Sequence, residues 1–369
     1  MVVADPGYRA IVRRGRPAGL ALMLSAGCQL ASQGGGSAGI EPGVADDTST
    51  EDSSSTPVAS TSGGGGPTGA EQTGDVTTDD SVSGTTAGDD ESGEDTDDTG
   101  TGERPLPPPD PFVDVVHLSG LGSSSADYSP TLRADRLEMY FATNRYGEED
   151  IMRATRVSLD QPWGAPALVF GQVSTTDNET NPELSPDGLV LLFSSDRGKA
   201  GDYEVYYILR DSLVGMWSLP EPVPTLGSPM QEFSVTAQPD LTTVLFCSDR
   251  TPSEGLDVWR VFVDEKGRHS APEQMLDLST SAHDCPGNSS DDMTWLALGS
   301  DRTGTVGGAD LWFAQQTESG EGYWPAHNLT ELNTTAAERD PWVSAELEVI
   351  YFASDRTGDL EIYQARAAD

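Results

Sequence analysis

Near the end of the chain, Ser354, Asp355 and Arg356 place a hydroxyl, a carboxylate and a guanidinium side by side. Taken alone, such a trio offers a nucleophile beside an acid–base partner and a cation. The phrase is not unique. It returns as Ser195-Asp196-Arg197, Ser248-Asp249-Arg250 and Ser300-Asp301-Arg302, and more loosely as Thr143-Asn144-Arg145. A catalytic constellation is needed once, whereas a residue present in every copy of a repeat answers a need that all copies share. Asp at a strand end bonds nearby backbone N–H groups and fixes a turn. Arg beside it pairs with carboxylates or carbonyls of a neighbour. We therefore read Asp196, Arg197, Asp249, Arg250, Asp301, Arg302, Asp355 and Arg356 as structural, and assign no catalytic residue.

A second column stands three residues before a recurring Pro and holds Asp127, Glu179, Glu232, His283 and Glu338. Four carboxylates and an imidazole ringed around a channel mouth would suit a cation, a sugar or a basic peptide end. The plainer alternative is that each acid pairs with a repeat Arg and holds adjacent units together. Trp163, Trp217 and Trp324 share another repeat position, with His269 in place of Trp, and read as packing rather than as a sugar platform. The remaining candidates are thin. Cys28, Cys247 and Cys285 form no CxxC, the four His are scattered, and HExxH is absent. No metal or other cofactor is expected. Cys247 and Cys285 lie in adjacent repeats, and the sequence leaves their pairing open.

The elements behind these columns recur every 52–54 residues, counted from Asn144 to Asp196, Asp249, Asp301 and Asp355. Each unit has an acid or His followed by Pro, a turn, an apolar run such as "LVLLFSS", Asp-Arg, a Gly-bearing loop, a second run such as "YEVYYI", and a short connector. Period-2 runs between Gly, Pro and Asp clusters are strands and turns. About four strands per unit is one propeller blade, and a lone four-stranded sheet cannot bury both faces, so blades must stack. The last unit stops a strand short, while "VDVVHL" (113–118) stands ahead of the first unit as a spare strand. The expected fold is all-β, a five-bladed β-propeller in residues 111–369, with the N-terminal strand closing the last blade.

These motifs resemble the WD40-like repeat of the PD40 type found in the TolB propeller family. "SPDG" at Ser185–Gly188, the recurring "F.SDR.G" and the Trp324–Pro341 connector carry the likeness, which covers residues 111–369. Repeat one departs with Asn144, and repeat three with Val235 and His269. The resemblance implies a propeller in the bacterial cell envelope. It does not carry over a TolB role, because TolB's separate N-terminal domain is replaced here by a linker.

Residues 1–28 have the build of an export signal. Arg13, Arg14 and Arg16 precede an apolar stretch, Pro17–Gly27, too short to span a bilayer. "LSAGC" is similar to a lipoprotein lipobox, which implies lipidation at Cys28; Ser25 stands where Leu is usual. Residues 29–110 are Gly/Ser/Thr/Asp-rich and have almost nothing apolar to bury, so composition predicts a disordered tether. Much of the formal charge of −40 lies there. A chain so acidic is not expected to bind nucleic acid, whose phosphates require a basic face. The expected protein is thus an exported, lipid-anchored outer-membrane propeller facing the periplasm or cell surface. It would act as a non-enzymatic binding or scaffold module for an envelope protein, peptide or glycan, touching membrane by its anchor only. A lectin-like propeller is the alternative, and a five-bladed glycoside hydrolase a more remote one, since no blade-specific acid pair is visible.

Overall fold

The computed structural model describes residues 109–368 apart from 170, 172, 254 and 265–267. The signal segment, Cys28 and the acidic linker up to residue 108 lie outside the described residues. Blade one is β2 (Asp127–Leu132), β3 (Glu138–Thr143), β4 (Asp150–Thr155) and β5 (Ala167–Leu168). Blade two is β6 (Glu179–Leu184), β7 (Val190–Ser195), β8 (Glu204–Leu209) and β9 (Glu221–Pro222). Blade three is β10 (Glu232–Ala237), β11 (Thr243–Ser248), β12 (Asp257–Phe262) and β13 (Glu273–Gln274). Blade four is β14 (Asp284–Ser289), β15 (Trp295–Ser300), β16 (Asp310–Gln315) and β17 (His327–Asn328). Blade five is β18 (Glu338–Val343), β19 (Val349–Ser354) and β20 (Glu361–Ala367), completed by β1 (Phe112–His117) from the other end of the ring.

Each blade is an antiparallel meander in which every strand pairs with its neighbour, and the spare strand β1 pairs with β20 as the repeat arithmetic requires. The innermost strands of neighbouring blades touch in turn, β2 to β6, β10, β14, β18 and back to β2, so the ring is closed. The outermost strands of blades one to four are shorter than the sequence suggests, each only two residues long. Polar connector residues at the rim have no neighbour to bury against, and pairing stops there.

The core lies between blades. Apolar clusters at every junction draw on two adjacent blades, such as Tyr140 and Ile151 with Leu191 and Phe193, or Val205 and Tyr207 with Phe246 and Trp259. Middle strands are covered on both faces, and all six residues of β3 and of β19 are buried. Their β-branched and aromatic content fits a strand buried twice over.

Two faces follow from strand direction. The lower face carries the first turn of each blade and the loop before its outermost strand. The upper face carries the Asp-Arg loops and the blade-to-blade connectors. In the lower turn of blade two, Ser185 Oγ accepts the N–H groups of Leu189 and Val190, and Gly188 adopts φ 73°, a left-handed conformation that glycine takes without Cβ strain.

Cys247 on β11 and Cys285 on β14 form a disulfide between blades three and four, with Cα atoms 5.0 Å apart. It closes a span of 38 residues, for which chain entropy assigns about 4 kcal/mol of stabilisation. Replacing both cysteines with Ala, or reducing the bond, should lower the melting temperature by roughly 10 °C. Calorimetry with and without reductant checks this, and an unchanged midpoint refutes it.

Candidate functional site at the channel mouth

The Ser-Asp-Arg repeat resolves into one tie used five times. Asp127, Glu179, Glu232, Asp284 and Glu338 begin the innermost strands and are fully buried. Each carboxylate pairs with the Arg of its own blade: Arg145 to Asp127, Arg197 to Glu179 at 3.0 Å, Arg250 to Glu232 at 2.8 Å, Arg302 to Asp284 at 2.7 Å and Arg356 to Glu338 at 3.1 Å. The same guanidinium donates to a Ser or Thr two residues earlier and to a connector carbonyl 24 residues earlier, such as Val173 O at 2.7 Å and Leu332 O at 2.8 Å. Aromatic rings flank it, as Phe193 and Tyr206 flank Arg197. Asp196, Asp249, Asp301 and Asp355 accept the backbone N–H of the residue before each acid, and Asn144 does so in blade one.

The carboxylates therefore do not stand open around a mouth. Burial lifts Glu179 and Glu232 above the ordinary carboxylate value, opposed by hydrogen bonds from Thr175 and Ser228 and by the paired arginines. The fourth column member is Asp284, not His283. His283 sits one place earlier, is exposed, and accepts the Leu256 N–H at Nδ1. In β14 the register shift falls after Pro286, one residue later than in the other blades, so counting back from Pro lands one residue off. The Trp column shifts likewise. The blade-four equivalent of Trp163 and Trp217 is Tyr323, because the strand-like contacts of Gly164, Ser218 and Trp324 align. Trp163 and Trp217 lie under Arg156 and Arg210 at 4.4 and 4.5 Å, which makes them packing residues.

What breaks the five-fold pattern gathers on the upper face. The residue after each tied acid reads Tyr128, Thr180, Phe233, Cys285 and Arg339 around the ring. The residue closing each Asp-Arg loop reads Glu149, Tyr203, Leu256, Ala309 and Leu360, and its carbonyl accepts the N–H of the next blade's acid. Between blades one and two these side chains meet. Tyr128 hydroxyl donates to Glu149 Oε1, Tyr203 hydroxyl donates to Glu149 Oε2 at 3.0 Å, and Thr180 Oγ1 donates to Tyr128 at 3.2 Å. Phe233 packs against Tyr203, ring centroids 4.8 Å apart. Desolvation, then the Glu149 charge, pushes both phenols well above their usual pKa, so they remain donors.

Beneath them the innermost strands bulge. Ser129, Asn181, Ser234 and Asp340 have φ between 46° and 53°, at the register shifts of β2, β6, β10 and β18. Bulges re-aim side chains, and short polar residues tolerate the left-handed region. The result is a polar belt in which Asn181 Nδ2 donates to Ser129 Oγ at 3.0 Å and Ser234 Oγ at 3.1 Å. Asp340 adjoins Ser129, and its Oδ2 is buried without a hydrogen-bond partner. Burial raises its pKa, Arg339 and then hydrogen bonding from the Ser129 side chain and backbone oppose this, and the charge of Glu149 adds to it. Glu149 and Asp340 are thus two carboxylates in different environments at one mouth, from blades one and five, a pair that repeat reasoning missed. Among the described residues no cluster of His, Cys, Asp or Glu is arranged to hold a metal.

No protein-family model and no curated protein matches the sequence. Solved structures do. A TolB homologue from Agrobacterium tumefaciens is 14% identical over 71% of this chain and 92% of its own, with a TM-score of 0.43. An endo-arabinase from Bacteroides thetaiotaomicron is 12% identical over 69% and 97%, with a TM-score of 0.47. An α-L-arabinofuranosidase from Podospora anserina, solved with cellotriose, is 12% identical over 72% and 98%, also at 0.47. At such identities the likeness is one of fold. Two of these three structures are enzymes, so the expectation that the chain is not an enzyme is withdrawn.

Two measurements test the site's frame. Asp284→Ala leaves Arg302 buried without its carboxylate and should cost about 3–5 kcal/mol, read as a lowered urea midpoint; a loss below about 1 kcal/mol would show that the ties are incidental. In the channel wall, burial pushes Glu183 up to about 8, against a hydrogen bond from Thr131 at 3.0 Å. A carboxyl with a folded-state pKa above its unfolded value binds its proton more tightly when folded. Its stabilisation is full below about pH 4.5 and is lost as pH rises to about 8. Glu183→Gln should flatten that decline in urea midpoints across pH 4.5–8, and parallel curves for parent and variant would count against it.

Proposed function

We propose that this chain is an exported, envelope-tethered propeller that binds its ligand at the mouth formed by Tyr128, Glu149, Thr180, Tyr203 and Phe233, with Asp340 below and Arg339 on the adjoining blade five. The observation that carries the reading is the break in repetition. Structural residues recur in all blades, whereas Tyr128, Glu149 and Tyr203 have no counterparts in the other blades and converge on one carboxylate. Each carboxylate oxygen has a second lone pair, so Glu149 accepts further donors from a ligand. Export is supported by the Cys247–Cys285 disulfide, since such bonds persist in oxidising compartments. Lipidation at Cys28 and outer-membrane residence belong to the same proposal, with the acidic segment as tether.

The partner class we favour is an envelope protein or peptide. A lectin-like role is the second reading, favoured by the Tyr203–Phe233 pair as a stacking platform. A photo-crosslinking amino acid at Phe233 in producing cells should give discrete protein adducts that disappear with Glu149→Ala and are absent when the probe sits at Glu318. Adducts insensitive to Glu149→Ala, or equal at Glu318, would refute the mouth as the site. Oligosaccharide binding by calorimetry that Tyr203→Ala abolishes would instead establish the lectin reading, and release of sugar from arabinan would make the mouth an active site.

A further inference from the structure

The lower face, opposite the mouth, carries an apolar feature that the blades do not need. In the loop between β8 and β9, Val214 is 97% and Met216 90% exposed, with Leu213 and Leu219 also exposed. In the loop between β4 and β5 of the adjacent blade, Val157 is 86% exposed and Leu159 is exposed beside it. Single exposed aliphatics are ordinary. Two equivalent loops in neighbouring blades, both tipped with them, are not. The loop in the same position of blade four carries Glu318, Ser319 and Glu321 instead, so the fold tolerates a polar tip there.

The loops are held firmly at their bases. Arg210 stacks on Trp217, donates to Leu213 O at 3.2 Å, and pairs with the buried Glu138 of blade one at 2.7 Å. Burial opposes ionisation of Glu138, but Arg210 and Arg153 outweigh it and hold its pKa below the usual value. Trp217 Nε1 donates to Tyr140 hydroxyl at 3.2 Å. Arg156 stacks on Trp163 and donates to Tyr351 hydroxyl at 3.1 Å. Rigid bases lift the aliphatic tips as projections rather than lining a groove. Projections suit a soft, continuous medium better than a shaped protein surface.

Where the preceding chain joins identifies that medium. Phe112 pairs with Ala367 at the lower end of β20, so the chain enters the ring on this same face. We infer that the lower face docks on a lipid bilayer surface, with Val157, Leu159, Leu213, Val214, Met216 and Leu219 entering the interface. This rests on the tethered, exported reading for its setting, but not on lipidation of Cys28. The contact is apolar in origin. Arg133, Arg136, Arg153, Arg156 and Arg210 near the loops are offset by Asp135, Glu138, Asp160, Asp187, Asp211 and Glu348. Insertion of exposed aliphatic side chains gains in proportion to the apolar area removed from water. Docked this way, the propeller turns its mouth away from the membrane.

Every strand of the ring pairs within residues 112–367, so a chain starting at Gln29 contains the whole ring and lacks both the apolar stretch 17–27 and Cys28. That chain should co-sediment with phosphatidylcholine vesicles, retain binding in high salt, and bind no better when anionic phosphatidylglycerol is added. Val214→Asp with Met216→Asp should lower the partition coefficient about tenfold or more while leaving the melting temperature unchanged. Val157→Asp is the second variant should the pair disturb folding, and it should weaken binding in the same direction. Absence of co-sedimentation, binding untouched by the substitutions, or self-association that they abolish while vesicles stay unbound would each overturn the proposal. None of these outcomes bears on the cross-linking result at the mouth, so the two readings fail separately.

Discussion

The structure depends on one buried interaction, the carboxylate–guanidinium tie between the start of each innermost strand and the Asp-Arg loop of its own blade. Burying a charge pair brings little net stability by itself, because desolvation offsets the attraction. Its value here is geometric. A planar guanidinium has several donors in fixed directions, and this one uses them on the acid, on a Ser or Thr hydroxyl and on the connector from the preceding blade. Lysine presents a point charge and has no such fork. The connector is thereby fixed against its own blade, while its apolar residue, such as Leu226 or Leu278, enters the core between blades. Angle and packing are set together at each junction.

Most of this frame was legible in the sequence because a repeat states its structural needs several times over. The period, the two apolar runs, the Asp-Arg turn and the spare strand ahead of the first unit lead to five blades closed by β1. The errors came where a repeat slips by one residue. In blade four Gly287 lies so close to blade five that a Cβ there would meet the Pro341 carbonyl at 2.2 Å. The bulge sits one place later than elsewhere, and Pro286 no longer marks the same distance from the acid. His283 was thus drawn into a column that belongs to Asp284. Trp324 misled for the same reason, since the most visible aromatic of the blade-four connector is the neighbour of the equivalent one.

The mouth was not legible, and the reason is physical rather than accidental. A repeat comparison finds what copies share, while a site that engages one ligand in one place is built from positions that differ. Tyr128, Glu149, Thr180 and Tyr203 lie on two strands and two loops, up to 75 residues apart, from 128 to 203. Only the ring brings them into one hydrogen-bonded cluster around Glu149. The signal that was available lay one residue beyond the tied acids, where Tyr, Thr, Phe, Cys and Arg replace one another while the column beside them stays acidic or nearly so.

The same tie explains why the mouth can afford its departures. Because the buried acid and its Arg hold each junction, the next residue along is released from that task and varies, as Tyr128, Thr180, Phe233 and Arg339, with Cys285 of blade four given over to the disulfide. The bulge that follows turns Ser129, Asn181, Ser234 and Asp340 inward at left-handed backbone positions. Serine and asparagine satisfy one another there, but Asp340 keeps an oxygen without a donor in a buried setting. Above it Glu149 is held by phenols that burial keeps protonated. Acceptors are therefore in surplus across this part of the mouth, and an unmet buried acceptor carries a free-energy cost. On the proposed reading, a ligand that relieves the cost brings donors, as an amine, a guanidinium or a polyhydroxylated chain would.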